Sequence, residues 1–470
     1  MNKYILLGAA AMVAALPQAL DASDYDKYVD WQWSPVVTND VHADENVRNQ
    51  MDFTKPVHGP WLTIPSETGM TVTWITRIPC AGGVEYREKG TTNWVERWQV
   101  KYGQIDYSRE VQSVRLEGLK PATEYEYRLL SNVDHYTTAY HMVLSRGREI
   151  YSFRTVDNGR KNYRVFMSAD THGSFRLSLD PMLDRTGGAD SDFFFLVGDI
   201  VEDGQYNNIR YFTTFGYLDD IVRRWGTSKP TIFIRGNHDI AGIDTYKYGD
   251  YFPQPNGKTY YAFRQGPCYF VGIDTMWPPK EALQKRQWEA YLREQNDWLK
   301  ALKTTPDWKA SAFRVVMFHV PLFPGEGMSF PMDFFGETLS DESAAGRVHA
   351  VVTGHEHAYA RINPNTKETR LRPELEGLQL TGPKAYPPKW FCRNVFPERF
   401  PYVSIVLHQN DAMTVDVSSE KLVFKSHQYQ KTDGALFDAF EISPDGKVKD
   451  LIEMTVVPWA QPEPKAAKKK

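Results

Sequence analysis

The chain has few cysteines for its length. Its 470 residues include three, Cys80, Cys268 and Cys392. An odd number of cysteines, spread so widely, excludes a disulfide framework of the kind that holds small secreted domains together. At most one bridge can form, and we expect the thiols to pack in the interior. A chain of this length is instead long enough for two or three domains, each with its own core.

The chain also lacks a strong excess of charge of either sign. The formal net charge is −4, and charged residues make up 24% of the sequence. This balance excludes a broad basic surface for binding nucleic acid. The short basic stretch at 464–470 is typical of a solvated chain end.

Long apolar runs are missing after the first residues, so no later segment is expected to span a bilayer. Residues 1–22 start with Lys3, continue through an Ala-rich apolar stretch and end in small residues, which predicts a signal peptide. An N-terminal membrane anchor is the alternative. The sequence has no Asn-x-Ser/Thr sequon and no cysteine near the end of this segment. We therefore expect a secreted or periplasmic protein of a bacterial envelope that is not lipid-anchored.

A first domain is predicted at 59–156, after a polar N-terminal extension at 23–58. Short runs alternate between apolar and polar residues, as in half-buried strands. A turn at Pro121 leads into a strand with Tyr125 and Tyr127 at alternate positions, which fits a tyrosine corner in an all-β sandwich. This segment resembles a fibronectin type III module.

A second, α/β domain is predicted at 163–445, followed by a C-terminal strand and basic tail at 446–470. Continuous apolar runs predict strands covered on both faces, at 163–169, 192–197, 231–235, 269–273, 313–318 and 350–353. Between two of them, residues 281–302 have apolar positions at helical spacing and predict a helix that faces the core.

Polar residues follow these predicted strands in a fixed order. They are Asp170-x-His172, Gly198-Asp199, Gly236-Asn237-His238-Asp239, His319 and Gly354-His355-x-His357. In an open α/β sheet the C-terminal ends of parallel strands meet at one edge, where ligands bind. Imidazole, carboxylate and amide side chains together suit two hard or borderline metal ions. Each motif alone also fits a turn or a helix cap, and the order of the whole set favours a metal centre.

The ordered set resembles the calcineurin-like metallophosphoesterase superfamily, and the preceding β-module makes the chain similar to its purple acid phosphatase branch. The resemblance implies a multidomain protein, in which an N-terminal all-β sandwich precedes a four-layer α/β metallophosphoesterase sandwich. It also implies a hydrolase for phosphate esters, with a hydroxide that bridges two divalent metal ions as the nucleophile.

The resemblance further implies a role for each polar residue. One metal ion would be bound by Asp170, His172, Asp199 and His357. The other would be bound by Asp199, Asn237, His319 and His355. Asp199 would bridge the two ions, and His238, oriented by Asp239, would act as the general acid that protonates the leaving group. A structural role for His238 beside the site is the alternative.

Two departures from the purple acid phosphatase pattern bear on the metals. The Tyr that ligates ferric iron in that family is replaced by Glu202, and a non-ligating position is occupied by His172. Both changes favour a colourless pair of Mn, Fe(II) or Zn over an iron–tyrosinate site.

The substrate is left open by the sequence. We expect a small or macromolecular phosphate ester, and a monoester rather than a diester. Arg235 or Arg361 could supply the positive charge that binds its phosphate group. A phosphodiesterase is one alternative. A second is a non-catalytic envelope protein that binds a glycan or a partner through loop aromatics such as Trp277, Trp390 and Phe391. Segments 276–280, 323–336 and 363–400 are expected to form the pocket wall, and the sequence gives no oligomeric state.

Overall fold

The structure is a computed structural model. It describes residues 33–36, 55–134, 142–172, 175–200, 217–240, 245–321, 330–357, 359–366, 368–371, 400–408, 411–429 and 433–458. The signal peptide predicted at 1–22, Glu202, Trp390 and Phe391 lie outside these ranges, as does most of the segment 363–400.

The first domain is a β-sandwich, as predicted. Its strands are β1 Trp33–Val36, β2 Pro56–Ser66, β3 Gly69–Glu88, β4 Val95–Trp98, β5 Val100–Lys101, β6 Gln104–Ile105, β7 Arg109–Glu117, β8 Glu124–Asp134, β9 Met142–Gly147 and β10 Tyr151–Arg154.

Strand β3 connects the two layers of this sandwich. Its first half pairs with β2 and β7, and its second half pairs with β4 and β8. The pairing with β7 is interrupted between Ile75 and Cys80, where the strand changes layers. Tyr125 and Tyr127 lie in β8 and are buried, and the Tyr125 hydroxyl accepts a hydrogen bond from the Lys120 amide at 2.9 Å. This bond closes the corner that the Tyr pattern predicts.

The second domain contains two further sheets. Its strands are β11 Tyr163–Ser168, β12 Phe193–Val197, β13 Thr231–Ile234, β14 Tyr261–Gln265, β15 Cys268–Gly272, β16 Phe313–Met317, β17 Ala350–Thr353, β18 Ala360–Ile362, β19 Glu368–Leu371, β20 Val403–Val406, β21 Asp411–Val417, β22 Leu422–Gln428, β23 Ala435–Ile442, β24 Val448–Asp450 and β25 Thr455–Pro458.

Helices lie between these strands. They are α1 Phe175–Asp184, α2 Tyr217–Ile221, α3 Tyr248–Tyr251, α4 Ala282–Leu302, α5 Pro306–Ala310 and α6 Phe330–Leu339. The helix predicted at 281–302 is α4, and its buried face includes Trp288, Leu292 and Leu299.

The two sheets stack face to face. One has the order β13-β12-β11-β21-β22-β23-β24, and the other has the order β14-β15-β16-β17-β20-β18-β19-β25. A single apolar cluster fills the space between them, with Val165 and Phe195 from one sheet and Phe270 and Val315 from the other. Separate clusters join each outer face to its helices. The result is the predicted four-layer sandwich, and β24 and β25 add the C-terminal segment to both sheets.

Parallel pairing brings the C-terminal ends of the strands that precede the candidate ligands to one edge. Strands β11, β12 and β13 are parallel in one sheet, and β15, β16, β17 and β20 are parallel in the other. The C-terminal ends of both sets are therefore available for one site.

The sandwich domain is fixed to the second domain through a buried aromatic residue. Trp61 of β2 is fully buried in the cluster that covers the outer face of the first sheet. Its indole N–H donates to the carbonyl of Tyr251 at 3.0 Å, and its ring lies 6.2 Å from that of Phe252. Close by, His58 Nδ1 lies 2.8 Å from Asp219 Oδ1. Among the described residues, no helix is long and apolar enough to cross a membrane.

We expect Trp61→Ala to destabilise the protein, because it removes a large buried ring and one hydrogen bond between the domains. The expected loss in the free energy of unfolding is about 3–5 kcal/mol, measured by urea denaturation. Tyr102→Ala, at a side chain that is 93% exposed, serves as the control. A Trp61→Ala variant as stable as the control would show that this ring does not secure the interface.

Candidate metal centre

The predicted ligands follow the strand ends in short, unusual turns. Asp170 and Asp199 come two residues after β11 and β12, and His355 comes two residues after β17. All three have positive φ angles, of 54°, 51° and 75°. Non-glycine residues adopt this conformation rarely and at an energetic cost, and such strain is concentrated at functional sites. The turns aim these side chains at one point between the two sheets.

Two glycines make room for the carboxylates. A Cβ atom at Gly236 would overlap the carboxylate of Asp199, and one at Gly354 would overlap that of Asp170. The glycines of the Gly-Asn-His-Asp and Gly-His-x-His motifs therefore serve close packing of the ligands as well as the turn.

One cluster consists of Asp170, His172 and His357. Their ligand atoms all lie within 4.8 Å of one another. The Nε2 atoms of His172 and His357 are 2.7 Å apart, and Nε2 of His357 is 3.5 Å from Oδ1 of Asp170. These are three of the four residues predicted for the first metal ion.

A second cluster consists of Asp199, His319 and His355, again within 4.8 Å. Nε2 of His319 lies 2.9 Å from Oδ2 of Asp199. Nδ1 of His355 lies 2.7 Å from Oδ1 of Asn237, which places the fourth predicted ligand beside this cluster. A third combination joins His172, Asp199 and His238. Asp199 thus groups with residues of both predicted ligand sets, and its role as a bridging ligand stays a prediction.

The donor atoms fit metal ions. Asp199 Oδ2 and His319 Nε2 are buried and face each other, yet neither has a hydrogen bond of acceptable geometry. In the metal-free protein these two atoms form an ion pair at 2.9 Å, and a divalent cation between them would give both a partner of better geometry. The close approach of two imidazole Nε2 atoms, from His172 and His357, also favours a shared cation. The identity of the metals remains a prediction.

Backbone groups hold the ligands in position. The His319 ring donates from Nδ1 to the carbonyl of Val197 at 2.8 Å, which leaves Nε2 to bind a metal. The amide of His355 donates to both oxygens of Asp170 at 2.9 Å. The amide of His238 donates to Oδ1 of Asp199 at 2.8 Å. Each carboxylate is therefore fixed by a loop other than its own.

Burial and charge shift the titration of the metal-free site. Burial lowers the pKa of His172 to about 4 and that of His355 to about 3. Burial also raises the pKa of Asp170. His319 behaves differently, because the carboxylates of Asp199 and Asp170 outweigh its burial and raise its pKa to about 10. Without metal, His319 therefore holds the proton that balances part of the negative charge.

His238 lies beside the clusters. Its Nε2 is 3.8 Å from Oδ2 of Asp199, and its ring centroid is 4.6 Å from that of His172. The side chain is 23% exposed, so it can be reached from solvent. This position is compatible with the predicted general acid, whose role stays a prediction.

The carboxylate of Asp239 has a clear structural task. It accepts backbone hydrogen bonds from Asp199 at 2.7 Å, from Ile200 at 3.1 Å and from Gly236 at 2.7 Å. These bonds join the loop after β12 to the loop after β13. The sequence pairs Asp239 with its neighbour His238, and its contacts with the Asp199 turn could not be read from the sequence.

Both arginines that the sequence suggests for binding the phosphate group form ion pairs with carboxylates instead. Arg235 donates to Asp274 Oδ2 from Nε at 2.9 Å. Arg361 is fully buried and donates to both oxygens of Asp438, at 2.7 and 3.0 Å. Both guanidinium groups are paired with buried carboxylates, so neither is available as a phosphate-binding group. No local pattern in the sequence indicates Asp274 or Asp438 as their partners.

We expect Asp239→Asn to weaken metal binding about 10- to 100-fold, the range observed when groups that orient metal ligands are lost. An amide offers one acceptor where the carboxylate offers two, so at least one of the three backbone bonds is lost. Calorimetric titration with Mn²⁺ or Zn²⁺ measures the change. Asp433→Asn, at a side chain that is 96% exposed, is the matched control. Equal affinity in both variants would refute this role of Asp239.

We also expect metal affinity to rise with pH between 6.5 and 10, because the ion must displace the proton of His319. Each displaced proton changes the affinity by about tenfold per pH unit. The stability that this proton gives the metal-free protein is complete below pH 6.5 and is lost as the pH rises through 10. Calorimetry in two buffers of different ionisation enthalpy counts the released protons. Binding without proton release would contradict this account of the site.

Comparison with known proteins agrees with the fold of both domains. Residues 163–359 match the calcineurin-like phosphoesterase family, and residues 57–155 match the purple acid phosphatase N-terminal domain. The chain is 24% identical over 321 residues to purple acid phosphatase 23 of Arabidopsis thaliana, covering 60% of this chain and 64% of that protein. It is 25% identical over 174 residues to the serine/threonine-protein phosphatase CPPED1 of Bos taurus, covering 36% and 54%. The matches thus span less than two thirds of either relative.

Two solved structures share the fold at low sequence identity. A purple acid phosphatase from yellow lupin (Lupinus luteus) seeds has a TM-score of 0.56 at 16% identity, covering 83% of this chain and 75% of its own. The structure of PhoD has a TM-score of 0.52 at 12% identity, covering 84% and 92%. The first domain matches the purple acid phosphatase N-terminal domain, and its likeness to fibronectin type III stays a prediction. The chain therefore joins a purple acid phosphatase N-terminal domain to a calcineurin-like phosphoesterase domain, as its motifs predict.

Proposed function

We propose that the protein is an exported phosphoesterase that uses two divalent metal ions to hydrolyse phosphate monoesters. The observation that carries the proposal is the pair of His/Asp clusters, in which Asp199 of one cluster also groups with His172 of the other. The phosphoesterase domain match supports the reaction class. Both curated relatives are named as phosphatases, which supports monoesters over diesters.

The ions would be held by the two sets of ligands that the motifs imply. Asp170, His172, Asp199 and His357 would bind one, and Asp199, Asn237, His319 and His355 the other. When bound, such ions supply Lewis acidity at the phosphoryl oxygens and acidify a water nucleophile. Because His172 is in the first cluster and position 202 is Glu, we propose a pair drawn from Mn, Fe(II) and Zn.

The chain itself would supply positioning and a proton. The loops after β11, β12, β13 and β17 hold the ligands through backbone bonds, so little rearrangement is needed when substrate binds. His238 would protonate the departing alcohol, since its ring is partly exposed and close to Asp199. The buried carboxylate of Asp239 keeps the His238 loop fixed to the Asp199 turn.

Export is supported by the sequence alone. The charged start, the apolar Ala-rich stretch and the small residues before position 23 have the order of a signal peptide. We propose that the mature protein is secreted or periplasmic. Mass spectrometry of the N-terminus of the mature protein, isolated from its source cells, tests this proposal.

Two substitutions separate metal binding from proton transfer. Asp199→Ala should abolish both metal binding and turnover, because it removes the shared ligand. His238→Ala should keep both ions but lose about 10²–10⁴ in kcat, the usual contribution of a general acid. Metal content is measured by mass spectrometry and kcat on p-nitrophenyl phosphate.

His427→Ala is the control, because His427 is also partly buried, yet its ring contacts Gly434 in the second domain rather than the clusters. Full activity of a metal-loaded His238→Ala variant would remove His238 from the reaction. Faster hydrolysis of bis(p-nitrophenyl) phosphate than of the monoester would replace the monoester assignment by a diesterase. No turnover of either ester with Mn²⁺ or Zn²⁺, from acidic to mildly alkaline pH, would favour a binding protein.

A further inference from the structure

An aromatic side chain that the metal ligand sets do not use lies at the same edge as the clusters. Strand β15 ends at Gly272, and the chain then turns through Met276, which has a φ of 50°. The ring of Trp277 follows and packs against His355, with centroids 5.0 Å apart and planes at 38°. Trp277 is half-buried. It therefore forms a partly accessible apolar surface next to a predicted metal ligand.

Helix α4 fixes the turn that carries this ring. The side-chain amide of Gln295 makes two bonds to the backbone of Asp274, accepting from its N–H and donating to its carbonyl, each at 2.8 Å. The indole N–H of Trp288 donates to the carbonyl of Thr275 at 3.1 Å. Gln295 is fully buried, so both its bonds are shielded from water. The backbone that leads to Trp277 is thus held by the helix.

The other side of the turn is fixed to the loop of the second cluster. Asp274 Oδ2 accepts from Arg235 at 2.9 Å and from the Thr259 hydroxyl at 2.5 Å. Arg235 directly precedes the Gly-Asn-His-Asp motif, whose Asn237 contacts His355. Trp277 and the second cluster are therefore placed relative to each other by one buried ion pair.

We propose that Trp277 is a specificity-determining residue, which stacks on an aromatic ring in the alcohol part of the phosphate ester. This inference rests on the proposed function and names the substrate class of the same site. The metal ligands would bind the phosphate group, and a ring beside His355 would lie next to the part of the ester that extends away from the metal centre. Aromatic faces favour offset stacking with planar groups over contact with small alkyl groups.

Paired inhibitors test the inference without turnover. Phenylphosphonate and methylphosphonate carry the same anionic group and differ in the aromatic ring. We expect Trp277→Ala, loaded with Mn²⁺, to bind phenylphosphonate about tenfold more weakly than the wild type and methylphosphonate equally well. Trp277→Phe should recover most of the difference. Calorimetry gives the dissociation constants, and Tyr102→Ala is the control for loss of an aromatic ring elsewhere.

Several results would overturn the inference. Equal weakening of both phosphonates, or loss of Mn²⁺, would show that the ring only supports His355. Unchanged binding of both, or a wild type that does not prefer the phenyl compound, would show that the ring does not meet the ligand.

Turnover of phenyl phosphate and glycerol 2-phosphate by the wild type separates this inference from the proposed function. Hydrolysis of both esters, with no selective effect of Trp277→Ala, rejects the inference and keeps the phosphoesterase. Selective phosphonate binding without hydrolysis of any ester keeps the inference about Trp277 and rejects the phosphoesterase.

Discussion

The site depends on two buried carboxylates that are held by amides from other loops. Asp170 and Asp199 are at most 1% exposed, and their oxygens accept from the amides of His355 and His238. Two carboxylates so close together repel each other in a medium of low dielectric. A protonated His319 offsets this charge in the metal-free protein, and metal ions would offset it in the loaded one. The amide of His355 thus joins the two sheets and positions a candidate metal ligand in the same contact.

Two buried ion pairs join loops and strands of the second domain near the site. Arg235 and Asp274 join the loop after β13 to the turn after β15, while Arg361 and Asp438 join β18 to β23. Because these groups are buried, removing one partner would leave an uncompensated charge. Arg235 and Arg361 thus serve as scaffold.

The sandwich domain contributes to this scaffold from outside. Trp61 fills the cluster on the outer face of the first sheet, and the Tyr127 hydroxyl donates to the carbonyl of Thr227 at 2.8 Å. The strand that ends beside Asn237 and His238 begins just after this contact. A purple acid phosphatase N-terminal domain is therefore part of the support of the second domain here, rather than a module on a free linker.

The sequence by itself determined the strands that the candidate ligands follow, the order of the domains and the set of residues that could bind metal. Continuous apolar runs report burial directly, and residues such as Asp170 and His319 are located by the strands they follow. Only the tertiary structure decided which groups these residues meet. Asp239 binds the Asp199 turn, Arg235 and Arg361 face carboxylates, and Trp277 packs on His355. These contacts join residues distant in the chain through the directions of loops and side chains, which local patterns of hydrophobicity and spacing do not specify.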